Sequence, residues 1–343
     1  MTKAKISING FGRIGRLIFR QVFGRPEFEF VAINDLGDVE NLAYLLKYDT
    51  VYGKYEKEVN ADVARGLLFV DGVEVKFLQV KDPAALPWKD LGIDIAIEST
   101  GLFESYEKAK MHLASGAKRV VITAPAKDED GPNGKTVLMG INEDELKTVQ
   151  LTSNGSCTTN SASPVIQILS ENPGIVKAML STVHSYTATQ AIVDGPIRGG
   201  KDYRRGRAAA QNISPSTTGA AIAVTRAIPD LKGKFDGMAF RVPTVAGSIS
   251  DITFVSKRPT TVEEINQILR DAAASPRWQG ILKVTDEQLV SSDIVGDPFG
   301  AIVDLNFTKV VDGDLVKVLS WYDNEAGYVS TLVRHVLKIA ELL

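Results

Sequence analysis

Six residues near the start of the chain constrain its fold more than any others: Gly10-Phe11-Gly12-Arg13-Ile14-Gly15. Before them, Lys5-Ile6-Ser7-Ile8-Asn9 alternates as a short strand. After them, Ile14, Leu17, Ile18 and Val22 recur at helical spacing from Arg13 to Phe23. A strand, a glycine turn and a helix in that order make a dinucleotide-binding fingerprint. Gly10 permits the tight turn, Gly12 lets backbone approach a pyrophosphate, and Gly15 lets helix pack on strand. The helix start offers amides and a positive dipole end to phosphate. A glycine-rich turn that binds nothing is the plainer alternative, and Asp35 weighs against it. Asp35 ends a second apolar strand, Phe28–Asn34, 20 residues beyond Gly15 (35 − 15). A carboxylate there accepts hydrogen bonds from an adenine-ribose diol and repels a 2′-phosphate, which selects NAD over NADP.

The alternation continues. Asn41 to Tyr48 reads as a helix, Ile93–Ile97 as a buried strand, and Tyr106 to Ser115 as a helix ending at Gly116. Arg119–Ile122 reads as another strand. Strands alternating with helices predict an α/β fold with a doubly wound parallel sheet and right-handed crossovers. The 343 residues exceed one ordinary core, and domains of about 100–200 residues imply two. A net charge of −3 gives no basic footprint for nucleic acid or a membrane surface. No apolar run reaches the ~20 residues of a membrane span. The start of the chain lacks the apolar core of a secretory signal, and a single cysteine builds no disulfide scaffold. A cytoplasmic location is expected.

The lone cysteine sits in Asn154-Gly155-Ser156-Cys157-Thr158-Thr159-Asn160, between the strand Gln150–Ser153 and a helical pattern from Ser161 to Ser170. A free cysteine is most often a small core residue. Here its neighbours are hydroxyl and amide side chains, and a helix start favours the thiolate. His184 follows in Ser181-Thr182-Val183-His184-Ser185-Tyr186-Thr187, a strand pattern. Cysteine at a helix start with histidine from a neighbouring strand is a nucleophile–base arrangement. His112 and His335 fall within helical patterns and read as structural.

These segments together resemble the phosphorylating glyceraldehyde-3-phosphate dehydrogenase family. The resemblance runs over essentially the whole chain. It rests on Asn9–Arg16, Ala32–Asp35, Glu98–Phe103, Thr123–Lys127, Ser156–Asn160, Thr182–Gln190, Pro215–Ala221, Arg241–Thr244 and Trp321–Tyr328. It implies a Rossmann NAD-binding domain at 1–156 and an α+β catalytic domain with a mixed sheet at 157–323. A last helix, within 324–343, would pack back on the first domain. It implies that Cys157 forms the acyl-enzyme and His184 serves as its acid–base partner. Thr187 and Arg241 would hold the phosphate of glyceraldehyde 3-phosphate. Ser156, Thr158, Arg205, Thr218 and Gly219 would hold inorganic phosphate. Gly10, Gly12, Arg13, Ile14, Gly15 and Asp35, with Thr100, Gly101 and Thr123, would hold NAD, and Asn324 its carboxamide. It implies a homotetramer and no metal. Thr217–Ala221 precedes a helical pattern, so its amides suit an anion, and Arg204, Arg205 and Arg207 can grip phosphate through guanidinium forks.

Two differences from the family pattern bear on the reading. Gly155 stands where alanine is frequent, with no change of role expected. The loop Asp194–Lys201 is about two residues longer, and its Arg198 and Lys201 leave NADP open as a second cofactor. The alternative activity within the class is that of an erythrose-4-phosphate dehydrogenase, where water rather than phosphate resolves the thioester.

Overall fold

The computed structural model describes residues 3–197 and 201–343. Arg198, on which the NADP alternative partly rests, lies outside them. The first strand, Ala4–Asn9, buries Ile6 and Ile8 completely and stops at Gly10, where φ is +96°. A left-handed turn there suits glycine alone. The helix Arg13–Val22 follows and buries Leu17, Ile18, Phe19 and Val22. Phe19 meets Phe11 edge-on at 5.8 Å and Phe30 at 4.7 Å, which fastens helix to sheet.

Seven parallel strands run side by side: Lys135–Thr136, Leu151–Ser153, Arg119–Ile122, Ile95–Glu98, Ala4–Asn9, Phe28–Asn34 and Val73–Leu78. The chain first builds outward from Ala4–Asn9 through Phe28–Asn34. It later returns to the other side of the first strand with Ile95–Glu98. That reversal opens a crevice at the carboxyl ends of the strands, the usual place for a ligand in a doubly wound sheet. Two antiparallel strands, Leu67–Val70 and Val59–Asp62, extend one edge. The helix expected at Tyr106–Ser115 is two single turns, Tyr106–Ala109 and Met111–Ala114, meeting at Lys110. The second carries His112 into the interior.

The chain divides into two compact units, residues up to 155 together with 332–343, and residues 156–331. Asp323 caps the last helix, Ala326–Ala340, by accepting from the amides of Glu325 and Ala326, and its other oxygen accepts from Gly296. The start of that helix thus belongs with residues 156–331 rather than turning away at 324. His335, further along, is fully buried and bonds Thr152 at 2.8 Å and Asn154 at 3.2 Å.

The second unit is built on a mixed seven-stranded sheet, ordered Ser214–Thr217, Phe235–Val242, Ile175–Ser185, Ser248–Ser256, Leu315–Tyr322, Ala301–Val311 and Leu282–Thr285. Ile175–Ser185 runs parallel to Phe235–Val242 and antiparallel to Ser248–Ser256. Helices Cys157–Glu171, Ala220–Ala227 and Val262–Ala274 pack on this sheet. Met179, Val183 and Met238 point the other way and are exposed. Among the described residues no helix is long and apolar enough to cross a membrane, and no cluster of three or more His, Cys, Asp or Glu could hold a metal ion.

Burial pushes His335 down to about 3. Once unfolded, the ring takes a proton below about pH 6.5. Folding is therefore most stable above that value and weakens as pH falls towards 3. A His335→Gln variant should show a shallower acid decline, by up to about 1.4 kcal/mol per pH unit between pH 6 and 4. Urea unfolding midpoints across that range measure it, and a decline as steep as in the parent contradicts the account.

Candidate active site

Cys157 is the first residue of its helix. Ser156 caps that helix by accepting from the Thr159 amide at 3.1 Å, and the Thr159 hydroxyl accepts from the Ser156 amide at 3.1 Å. This reciprocal cap fixes where the helix begins and so where the thiol stands. The helix starts four residues before the apolar pattern at Ser161 suggests. Gly155, just before it, has φ +65°, so glycine is the natural residue there.

His184 comes from the end of Ile175–Ser185 and places Nε2 3.3 Å from Cys157 Sγ. Its Nδ1 lies 2.6 Å from the Ser185 carbonyl oxygen. With Nδ1–H donating to that carbonyl, Nε2 faces the sulfur as an acceptor. Arg241 Nη1 is also 2.6 Å from Nδ1, so in the other tautomer Nδ1 accepts from the guanidinium and Nε2–H faces the sulfur. The ring can therefore take a proton from the sulfur side or supply one. Parallel register sets this geometry, because His184 and Arg241 are direct partners across the two strands.

Tyr322 braces the pair. Its hydroxyl shares hydrogen bonds with Thr158 at 2.9 Å and Thr182 at 2.7 Å, and its ring meets His184 edge-on at 6.0 Å. The Ser248 hydroxyl accepts from the Ser185 amide and donates to Asn324 Oδ1 at 2.9 Å. One serine thus links the end of the histidine strand to Asn324. Sequence reasoning did not single out Tyr322, Thr182 or Ser248. Tyr322 stands two residues before Asn324, whereas Ser248 carries no signal in the sequence.

Burial pushes the Cys157 thiol up from its ordinary value, against the pull of Arg241 and of the Thr158 amide and hydroxyl. The helix start is therefore one influence among several. Burial also lowers His184, to about 3, and Arg241 adds to that. At 3.3 Å the two are close enough to share a proton. Passing one proton from Sγ to Nε2 creates two opposite charges whose attraction offsets the burial of each.

The residues expected to hold phosphate fall into three places. Arg205 and Arg241 line one recess with Gln190, Asp202, Ser214 and Ser216. Thr187 joins it through Thr189, whose hydroxyl bonds Thr187 at 3.0 Å and accepts from Arg205 Nη1 at 3.1 Å. Thr218 and Gly219 stand at the start of Ala220–Ala227, where Thr218 accepts from the Ala220 amide. Ser156 is engaged in its cap and the Thr158 hydroxyl turns inward onto Tyr322. The guanidinium of Arg241 rests on His184 and the Ser185 carbonyl.

In the first unit the residues expected to hold the dinucleotide gather at the strand ends. Gly12 begins the helix, and no side chain caps it. A Cβ on Gly12 would meet nothing within 4 Å, whereas one on Gly15 would meet the Gly10 oxygen at 2.2 Å. An open, uncapped helix start fits a pyrophosphate. Asp35 accepts from the amides of Phe11 at 2.6 Å and Gly37 at 2.8 Å, which aims its carboxylate at the glycine turn. Arg13 forms a forked ion pair with Asp49, and Ile14 is half-buried beside it. Thr100 and Gly101 form the turn after Ile95–Glu98, and the Thr123 amide donates to the Glu98 carbonyl.

A doubly wound unit with an open glycine turn and an acidic residue after its second strand, in a chain that also pairs a helix-start cysteine with a histidine, defines an NAD-dependent dehydrogenase. Two family models match: "Glyceraldehyde 3-phosphate dehydrogenase, NAD binding domain" over residues 4–106, and the C-terminal domain of the same family over 156–324. A glyceraldehyde-3-phosphate dehydrogenase of Thermotoga maritima is 53% identical over 96% of this chain and 97% of its own. Those of Geobacillus stearothermophilus and Mycobacterium avium are 48% and 46% identical, over 96% and 99% of each chain. The chain belongs to the glyceraldehyde-3-phosphate dehydrogenase family, and its cofactor is NAD.

Without His184 the half-buried thiol loses the proton acceptor 3.3 Å from its sulfur. A His184→Asn variant should alkylate at Cys157 roughly tenfold or more slowly at neutral pH, recovering only as pH rises. Iodoacetamide kinetics measure this, and an unchanged rate contradicts the pairing.

Proposed function

We propose that the protein oxidises glyceraldehyde 3-phosphate to 1,3-bisphosphoglycerate through an acyl-enzyme on Cys157. The observation that carries this is the 3.3 Å approach of His184 Nε2 to Cys157 Sγ at a capped helix start. Cys157 Sγ bonds the aldehyde carbon while His184 takes the thiol proton and passes it to the new hydroxyl. Bound NAD supplies the hydride acceptor that turns this adduct into a thioester. His184 takes the hydroxyl proton back in that oxidation. Inorganic phosphate then attacks the thioester carbon, and the Cys157 thiolate leaves.

Thr187 and Arg241 would hold the substrate phosphate, and Arg205, Thr218 and Gly219, with the amides beside Ser156 and Thr158, would hold the attacking one. Gly10, Gly12, Gly15, Arg13, Ile14 and Asp35 would hold the adenine half and pyrophosphate of NAD. Thr100, Gly101 and Thr123 would lie nearer its middle, and Asn324 would bind the carboxamide. The Asp35 position favours NAD over NADP, since a 2′-phosphate there meets a carboxylate. The exposed Met179, Val183 and Met238, with half-buried Ile249, Leu319 and Trp321, form an apolar sheet face that supports self-association into a homotetramer. A cytoplasmic location fits the single free thiol.

A Cys157→Ser variant should bind NAD yet form no NADH from glyceraldehyde 3-phosphate and phosphate. Retained activity contradicts the assignment. In the parent protein, omitting phosphate should stop turnover after about one NADH per subunit, and continued turnover would make water the second nucleophile.

A further inference from the structure

Glu98 is a buried carboxylate with four hydrogen-bond donors, and the proposed function gives it no role. Glu98 ends the strand Ile95–Glu98 and is 1% exposed. Its Oε2 accepts from Asn9 Nδ2 at 2.6 Å and from His112 Nε2 at 2.9 Å. Its Oε1 accepts twice from Thr100, through the amide at 2.8 Å and through the hydroxyl. His112 is fully buried, and its Nδ1 accepts from Trp88 Nε1 at 2.9 Å. The ring's proton must then sit on Nε2, which makes the ring neutral and aims that proton at Glu98. Four hydrogen-bond donors surround a carboxylate beside which no cation stands in this network. A buried charge is costly to keep, and charge-assisted bonds to all its lone pairs are what make it tolerable.

The bonds lead to the rim of the crevice. Asn9 precedes Gly10, and its Oδ1 accepts from Asn34 Nδ2 at 2.7 Å, directly before Asp35. Thr100 is so close to the glycine turn that a Cβ on Gly10 would stand 2.6 Å from its amide nitrogen. Ser99 closes the same seam by donating to the Gly10 oxygen at 2.6 Å. One carboxylate therefore spans the two sides of the strand-order reversal.

We propose that Glu98 is the positioning residue of the dinucleotide pocket. It sets the gap between the Gly10–Gly15 turn and the Thr100–Gly101 turn without itself touching the cofactor. His112, oriented by Trp88, holds it from behind. This inference rests on the reading of those turns and Asp35 as the pocket rim. Glutamine has the same shape but cannot do the same work, because its NH2 must face either the two Thr100 donors or Asn9 and His112. Either orientation leaves at least one N–H donor facing a donor.

The test is calorimetric titration of the full-length protein with NAD, alongside circular dichroism and Cys157 alkylation. Glu98→Gln should weaken NAD by about tenfold while leaving the alkylation rate of Cys157 as in the parent. Asp35→Ala, measured in parallel, should also weaken NAD. Parent-like affinity in Glu98→Gln, with or without a lower melting temperature, overturns the proposal while Asp35→Ala still weakens binding. Parent-like affinity in Asp35→Ala instead overturns the reading of the rim. Where Glu98→Gln does not fold, His112→Phe withdraws one donor from behind Oε2 without touching the rim. Weakened NAD binding there supports the proposal, and unchanged binding overturns it.

Discussion

Cys157 Sγ and His184 Nε2 stand 3.3 Å apart, and much of the order in residues 156–331 bears on that distance. The Ser156–Thr159 cap fixes the first residue of one helix. Parallel pairing of two strands fixes the height of the histidine beside Arg241. Tyr322, tied to Thr158 and Thr182, spans the helix and the histidine strand with one hydroxyl. Burial disfavours the charged form of each group. Placed together they can exchange a proton locally, which is the property a thiol nucleophile needs.

The same economy governs the cofactor unit. The turn from Gly10 to Gly15 needs glycine for separate reasons at each position: a positive φ at Gly10, open space at Gly12 and a contact with backbone oxygen at Gly15. These are local demands, so they show in the sequence. Asp35 stands out in the sequence too, because it follows its strand directly, and its carboxylate accepts from the Phe11 amide in that turn. The helix-start cysteine is equally local. Its capping hydroxyls are its own neighbours.

What the sequence does not show is pairing across long separations. Asn9 and Glu98 are adjacent only because their strands are. His112 reads as an ordinary helical residue until the break at Lys110 and the sheet bring it to Glu98 and Trp88. Arg241 reads as a phosphate ligand, and its closeness to His184 appears only from strand register. Thr158 offers a hydroxyl that turns inward because Tyr322 lies beneath it. The strands Val59–Asp62 and Leu67–Val70 are short and lie at a sheet edge, where periodicity is weak.

The central claim is that Cys157 carries the oxidised substrate as a thioester that phosphate releases. Intact-protein mass spectrometry tests it directly, after the protein is mixed with glyceraldehyde 3-phosphate and NAD without phosphate. The account predicts one phosphoglyceroyl adduct per chain, located on Cys157 and lost when phosphate is added. An adduct elsewhere, or none while NADH forms, contradicts it.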